Sequence, residues 1–413
     1  MAPDKGEMLA KSEFPLYVVK SLGERHFLVA GGGGAAKTGI NNAIDIYEVK
    51  QDGDRLRSAS ICRHGTGTQA VMNGDSFYDG RRHVFAAGMD DECHIFSMKY
   101  KVISSEKEES DKKSEVRKRK GEVLENHNSS TDTKQVTVHV EQTGKIKTDF
   151  CKEGAFQKVV KFSWDHSILA TGGADGFLRV WKFPELKKLY EIKVHKNEVD
   201  DLEFSPIGNR IVTVSKDHTG HAWDTKDGKK RADLVWPQKN SQQYRYRSCR
   251  YGLIENQKDK FNLYTISIPV TRSTKPSPCY IALWDSNNFT PKKITSTGTE
   301  VLSSLAVSDD GIYLGVGMIS GSVAVYISFS LQKLYYVHEA HAIFVTGLDF
   351  MPCSEASLAV TGQKEFSLLS ISADNTIRVH QVSPRESFSF FWVLVGFVFI
   401  VFLGFYLFTE NGS

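Results

Sequence analysis

ATGGADGFLRVW (Ala170–Trp181), VTVSKDHTGHAW (Val212–Trp223) and LLSISADNTIRVH (Leu368–His380) align without gaps. Each reads as an apolar strand, a turn with Asp six residues before the end, and a second, alternating strand. Asp175, Asp217 and Asp374 hold the turn, where a carboxylate can accept nearby backbone N–H groups. Weaker copies are FAAGMDDECHIF (Phe85–Phe96) and LGVGMISGSVAVY (Leu314–Tyr326), with Asp90 and Ser320 at the turn. Two more degenerate ends close at Tyr47 and Trp284. The seven ends lie 49, 85, 42, 61, 42 and 54 residues apart. The unbroken copies therefore sit near the roughly 40–45-residue period of a four-stranded repeat.

This pattern resembles the WD-repeat family. Seven copies imply an all-β fold, a seven-bladed β-propeller over residues 12–382, preceded by a tail at 1–11. Each blade would bury its faces on its neighbours, and FPLYVV (Phe14–Val19) is expected to complete the last blade as a closing strand. The 85-residue interval contains an insertion. Residues 101–135 are rich in Lys, Glu and Ser and carry almost no aromatic side chain, so they read as a disordered loop. RKRK (Arg117–Lys120) within it is either a nuclear-localisation or phosphate-binding patch, or a solvated charge run.

The 413 residues are 40% hydrophobic and 24% charged, with 52 Lys+Arg against 49 Asp+Glu. Such a composition excludes a wholly disordered chain and a polytopic membrane protein. The net charge of only +3 argues against nucleic acid as the main partner. Six cysteines occur without a C-x-x-C, so no disulfide framework or zinc site is written here. The exception to the average is FFWVLVGFVFIVFLGFYLF, residues 390–408, which has no charged side chain. At about 1.5 Å per residue it is long enough for one C-terminal transmembrane helix. A linker at 383–389 would precede it and a lumenal tail at 409–413 would follow. Arg378 and Arg385 on the N-terminal side place the large domain in the cytosol.

Three stretches look like chemistry. His195, Ser215, Asp217 and Trp223 fall within one repeat, and His341, Ser372, Asp374 and His380 recur at the same places in another. A catalytic triad needs one copy, whereas scaffolding recurs; the set resembles the hydrogen-bonded tetrad that holds a WD blade together. Tyr244-Arg-Tyr-Arg247, with Arg250 and Tyr251, interleaves aromatic and basic residues as single-strand binders do. The same alternation fits a half-exposed strand.

The third is LVAGGGGAAKTGINN (Leu28–Asn42), a near miss to the nucleotide-binding P-loop. Ala36 stands where that motif needs Gly, and a strand, AIDIYEV, follows where it needs a helix. No nucleotide is expected to bind this chain. Four successive glycines allow positive φ and close approach of a partner. Carbonyls and Asn oxygens without a carboxylate suit K⁺ better than Ca²⁺ or Mg²⁺. A flexible hairpin is the other reading.

FPLY, GGGGAAKTGI, TGGADGFLRVWK, LQKLYYVHEAH and the single C-terminal span together resemble the endoplasmic-reticulum guanine-nucleotide exchange factors for the secretion-associated Ras-related (Sar) GTPase. That resemblance implies a binding protein without covalent chemistry, acting at the endoplasmic-reticulum membrane. It would speed GDP release from a Sar-type small GTPase and so start assembly of coat protein complex II. It also implies that the first-blade loop contacts the GTPase through Gly31, Gly32, Gly33, Gly34, Lys37, Thr38, Gly39, Ile40, Asn41 and Asn42. Gly39, Ile40 and Asn42 would hold a potassium ion, mostly through backbone oxygens, and Asn42 matches a functional Asn of the family. Two other classes stay open: a membrane-tethered WD-repeat scaffold without exchange activity, and a nuclear DNA-binding regulator.

Overall fold

The computed structural model describes residues 6–35, 39–53, 55–104, 134–237, 243–255, 257–271, 276–384 and 394–401. Alternating apolar residues and turn glycines produce seven antiparallel four-stranded sheets, arranged as the blades of a closed ring. Blade 1 is Leu16–Ser21, His26–Gly31, Ala43–Asp52 and Arg55–Gly65. Blade 4 is Val199–Phe204, Arg210–Ser215, Gly220–Asp224 and Lys230–Asp233. The seven repeat ends read from the sequence, from Tyr47 to His380, all lie in third strands. The fold expectation therefore holds for the propeller.

Three details differ from the expectation. The strand that closes blade 7 is Glu7–Lys11, inside the supposed N-terminal tail, and it pairs with Thr376–Val382. The stretch Phe14–Val19, expected to be the closing strand, runs instead into Leu16–Ser21, the innermost strand of blade 1. The expected insertion is also shorter at both ends, because Glu92–Ser104 and Lys134–Lys147 pair along their whole length in blade 2. Residues 105–133, including RKRK, lie outside the described residues. Of the expected membrane span, residues 394–401 are helical and exposed. Among the described residues no helix is long and apolar enough to cross a membrane. The other residues of the span, most of the linker and the C-terminal tail lie outside the described set.

Blades cohere through apolar faces. Val18, Leu28 and Ile44 of blade 1 pack on Phe85, Phe96 and Val138 of blade 2. Each fully buried side chain of this kind contributes roughly 1.5–3 kcal/mol. Within blades, a hydroxyl on the second strand ties the third strand down. Trp181 Nε1 donates to Thr171 (3.1 Å), Trp223 Nε1 to Thr213 (2.8 Å) and Trp284 Nε1 to Thr265 (2.9 Å). In blade 4 the same Thr213 oxygen meets His195 Nε2 at 2.8 Å. Blade 7 repeats the arrangement with His341, Ser370 and His380. The tetrad hydroxyls are thus Thr213 and Ser370, not Ser215 and Ser372. Those two serines, one strand repeat further on, cap the turns by accepting from Asp217 N (3.0 Å) and Asp374 N (3.3 Å).

Charged side chains from six of the inner strands meet in the central channel, around a cavity of about 170 Å³. Lys20 pairs with Asp75 (3.0 Å), Lys161 with Glu203 (3.0 Å), and Arg250 with Asp201 (2.6 Å). Asp349 accepts from Ser21 N at 2.7 Å. Burial works against the charge of Asp75, but Lys161 and Lys20 outweigh it and bring its carboxyl down to about 2. Asp349 goes the other way, because burial dominates there and raises its pKa. The arginines of the Tyr/Arg strand face this channel. Arg245 lies 3.1 Å from Asp200, while Tyr246 is buried and donates to Leu234 O.

Candidate functional site, the first-blade loop

In an antiparallel four-stranded blade, the second-to-third connection emerges on the same face as the connection to the next blade. The loop after Gly31 and the turn after Gly65 therefore share one face of the ring. Val382, where the chain leaves its third strand in blade 7, ends on the opposite face.

The hairpin of His26–Gly31 with Ala43–Asp52 pairs regularly as far as Gly31 and Ala43. The loop then opens, and its base is tight. Gly32 N donates to Pro15 O at 2.9 Å. A Cβ on Gly31 would collide with that same carbonyl, and one on Gly32 with the side chain of Asn42. Gly32, Gly34 and Gly39 all have positive φ, at 140°, 72° and 76°. These glycines are needed for close approach and left-handed backbone, as the run of four suggested.

Asn42 is 6% exposed and clasps the base. Its Oδ1 accepts from Gly34 N (2.8 Å), and its Nδ2 donates to Gly34 O (3.2 Å) and Gly67 O (2.9 Å). Its own carbonyl accepts from Thr66 N at 2.9 Å. A carboxylate could not donate to two carbonyls, and an alanine could make none of the side-chain bonds. The tip is different: Gly39, Ile40 and Asn41 are exposed, Ile40 by 40%. Lys37 and Thr38 lie outside the described residues.

The structure thus brings Gly31, Gly32, Gly34 and Asn42 together as a rigid base, with Gly33 leading out of it. Gly39, Ile40 and Asn41 form an exposed edge. Pro15, Thr66 and Gly67 belong to the same site and were missed in the sequence. Only the Thr-Gly-Thr turn (Thr66–Thr68) hinted at them, and turns are common. The donor chemistry fits a weakly charged cation: the available oxygens are uncharged, and no carboxylate occurs between Gly31 and Asn42. Both Asn42 oxygens already accept an N–H, so Asn42 shapes such a site and offers it only residual lone pairs.

Residues 157–182 and 186–224 match the WD domain, G-beta repeat family. These lie in blades 3 and 4. Over 396 residues the chain is 38% identical to the rat guanine nucleotide-exchange factor SEC12, covering 94% of this chain and 93% of the relative. The mouse guanine nucleotide-exchange factor SEC12 matches to the same extent. The chain belongs to the SEC12 guanine nucleotide-exchange factor family. SEC12-like protein 1 of Arabidopsis thaliana is 27% identical over 215 residues, 51% of this chain and 50% of the relative. The similarities to the rat and mouse proteins span nearly the whole chain.

Proposed function

We propose that this SEC12-family propeller is a guanine-nucleotide exchange factor for a Sar-type small GTPase, with the loop from Gly31 to Asn42 as its working element. The observation that carries this reading is the clasped loop. A tight base held by Asn42 presents an exposed edge, Gly39–Asn41, on one face of the ring. Exchange needs no bond to be made or broken in the factor. It needs a surface that fits the nucleotide-free GTPase better than the GDP-bound form, so that binding shifts the population toward release. A loop with a rigid base suits this, because little ordering entropy is lost when a partner docks.

Gly39, Ile40 and Asn42 would hold a potassium ion. When bound, it would supply a positive centre that draws uncharged loop oxygens into one shape. The apolar residues 390–408 would anchor the chain in the endoplasmic-reticulum membrane, with the propeller in the cytosol. The third strand of blade 7 ends at Val382 on the face opposite the loop. GTP loading at the membrane would then start coat protein complex II assembly.

The test is release of a fluorescent GDP analogue from the purified Sar-type GTPase, with and without the full chain in detergent or vesicles. Acceleration well above the intrinsic rate is expected. An unchanged rate would leave only a scaffold.

A further inference from the structure

Asn42 holds two loops. Besides Gly34, its amide and carbonyl engage Gly67 O and Thr66 N, both in the turn that carries the chain from blade 1 to blade 2. That turn has its own bracing. Thr66 Oγ1 donates to Gln69 O at 2.7 Å, and Gln69 Nε2 donates to Asp90 of the neighbouring blade-2 turn at 3.1 Å. Ala70 and Val71 follow, buried at 5% and 0% exposure, and fix the turn's far end. Gly67 and Thr68 are exposed beside the glycine loop.

We infer that the turn Gly65–Ala70 is a second positioning element of the exchange site, coupled to the glycine loop through Asn42. The inference rests on the exchange reading above and deepens it. Gly67 is the hinge of the argument. Its φ of 71° is what turns its carbonyl toward Asn42 Nδ2. A Cβ there meets nothing within 4 Å, so a substitution acts through backbone conformation and not through a clash. Valine strongly disfavours left-handed φ, whereas asparagine tolerates it. If the carbonyl turns away, Asn42 loses one of its anchors, and the height and tilt of Gly34 are no longer fixed from both sides. Thr66 and Gly67 are therefore positioning residues, which act through Asn42.

The experiment compares Gly67→Val with Gly67→Asn in the full chain, using nucleotide release from the Sar-type GTPase as the readout. Losing a hydrogen bond of this kind corresponds to about a tenfold loss in the exchange rate for Gly67→Val. Gly67→Asn should stay within about twofold of wild type, because it keeps the conformation. Both variants should melt within a few degrees of wild type. On an Asn42→Ala background, Gly67→Val should add little, because the link is already broken. Equal rates for Val and Asn variants, or fully additive effects with Asn42→Ala, would overturn the proposal. Hydrogen exchange at the Gly34 amide gives a readout independent of the GTPase. Protection should drop in Gly67→Val, and unchanged protection would also overturn the coupling. A wild-type chain that accelerates nothing would sink the exchange reading, while this last measurement would still decide the coupling.

Discussion

Blades 1 and 4 treat the same connection, between second and third strands, in opposite ways. In blade 4 it is a short turn after Ser215, and its carboxylate is fully engaged. Asp217 accepts from Thr219 N (3.0 Å) and Lys196 N (2.8 Å), and it stands 3.3 Å from His195 Nδ1. In blade 1 the connection runs from Gly32 to Asn42, contains no carboxylate, and hangs from one buried amide. The carboxylate of such a turn is spent on bracing the blade. The neutral loop is gripped at its base by Asn42, and its described outer residues Gly39–Asn41 are exposed. The same connection thus serves two different ends within one repeated architecture, an engaged carboxylate in one blade and an exposed neutral edge in the other.

The largest expected effect sharpens that contrast through pH. Burial, opposed by Asp217, pulls the His195 imidazole down to about 4, and burial reinforced by His341 pulls His380 to about 3. Both are neutral in the fold, whereas the unfolded chain takes up protons below about pH 6.5. Stability should therefore be level above pH 7 and fall as pH drops from about 6.5 to 4. The loss is on the order of 3 kcal/mol per histidine. No described residue of the glycine loop ionises. Thermal midpoints between pH 7.5 and 4.5 check this, and a flat profile would remove the tetrads as the acid-sensitive element.

Next in size is the hydroxyl assignment. Thr213→Ala leaves both Trp223 Nε1 and His195 Nε2 without their partner in a buried site, and should cost about 2–3 kcal/mol. Ser215→Ala removes one turn cap and should cost about 1 kcal/mol or less. Urea unfolding of the two variants would rank them, and the reverse order would restore Ser215 to the tetrad.

For blade 1 the expected loss is in activity. Asn42→Ala removes three side-chain hydrogen bonds at the loop base, and exchange should slow about tenfold or more. The blade core is untouched, so unfolding should move by no more than about 1–2 kcal/mol. Normal exchange would show that the loop does not do the work. The smallest effect concerns the cation. Replacing K⁺ by Na⁺ should slow exchange about two- to threefold, since the oxygens are neutral and bind weakly. Equal rates in both salts would dismiss the ion and leave the hydrogen bonds at the loop base to hold it.

Much of the propeller was legible because its repeat is written locally. An Asp six residues before an aromatic ending marks a hairpin, and hairpins need no distant information. What failed needed distant information. Glu7–Lys11 is short and only weakly apolar, and it becomes a strand because the edge of Thr376–Val382 is open to it. Thr213 and Ser215 point to the same side of one strand, so periodicity cannot say which of them meets His195. The channel charges are scattered along the sequence on separate inner strands, and only the ring brings Lys20, Asp75 and Lys161 together across three blades. In the glycine loop, sequence singled out the right residues but not their division of labour. That Asn42 is a clasp is decided by Gly67, 25 residues away.

The closing strand has a mechanical consequence. Thr376–Val382, the last strand before the chain runs on toward its apolar end, is held on both sides, by Phe366–Ser372 and by Glu7–Lys11. A pull on the residues after Pro384 therefore acts along a strand flanked by two ladders, and loads their hydrogen bonds together instead of peeling them one at a time. The first strand of the chain thus doubles as a strain relief for the last, and a propeller tugged from its tail would resist opening at the very blade where the ring was sealed.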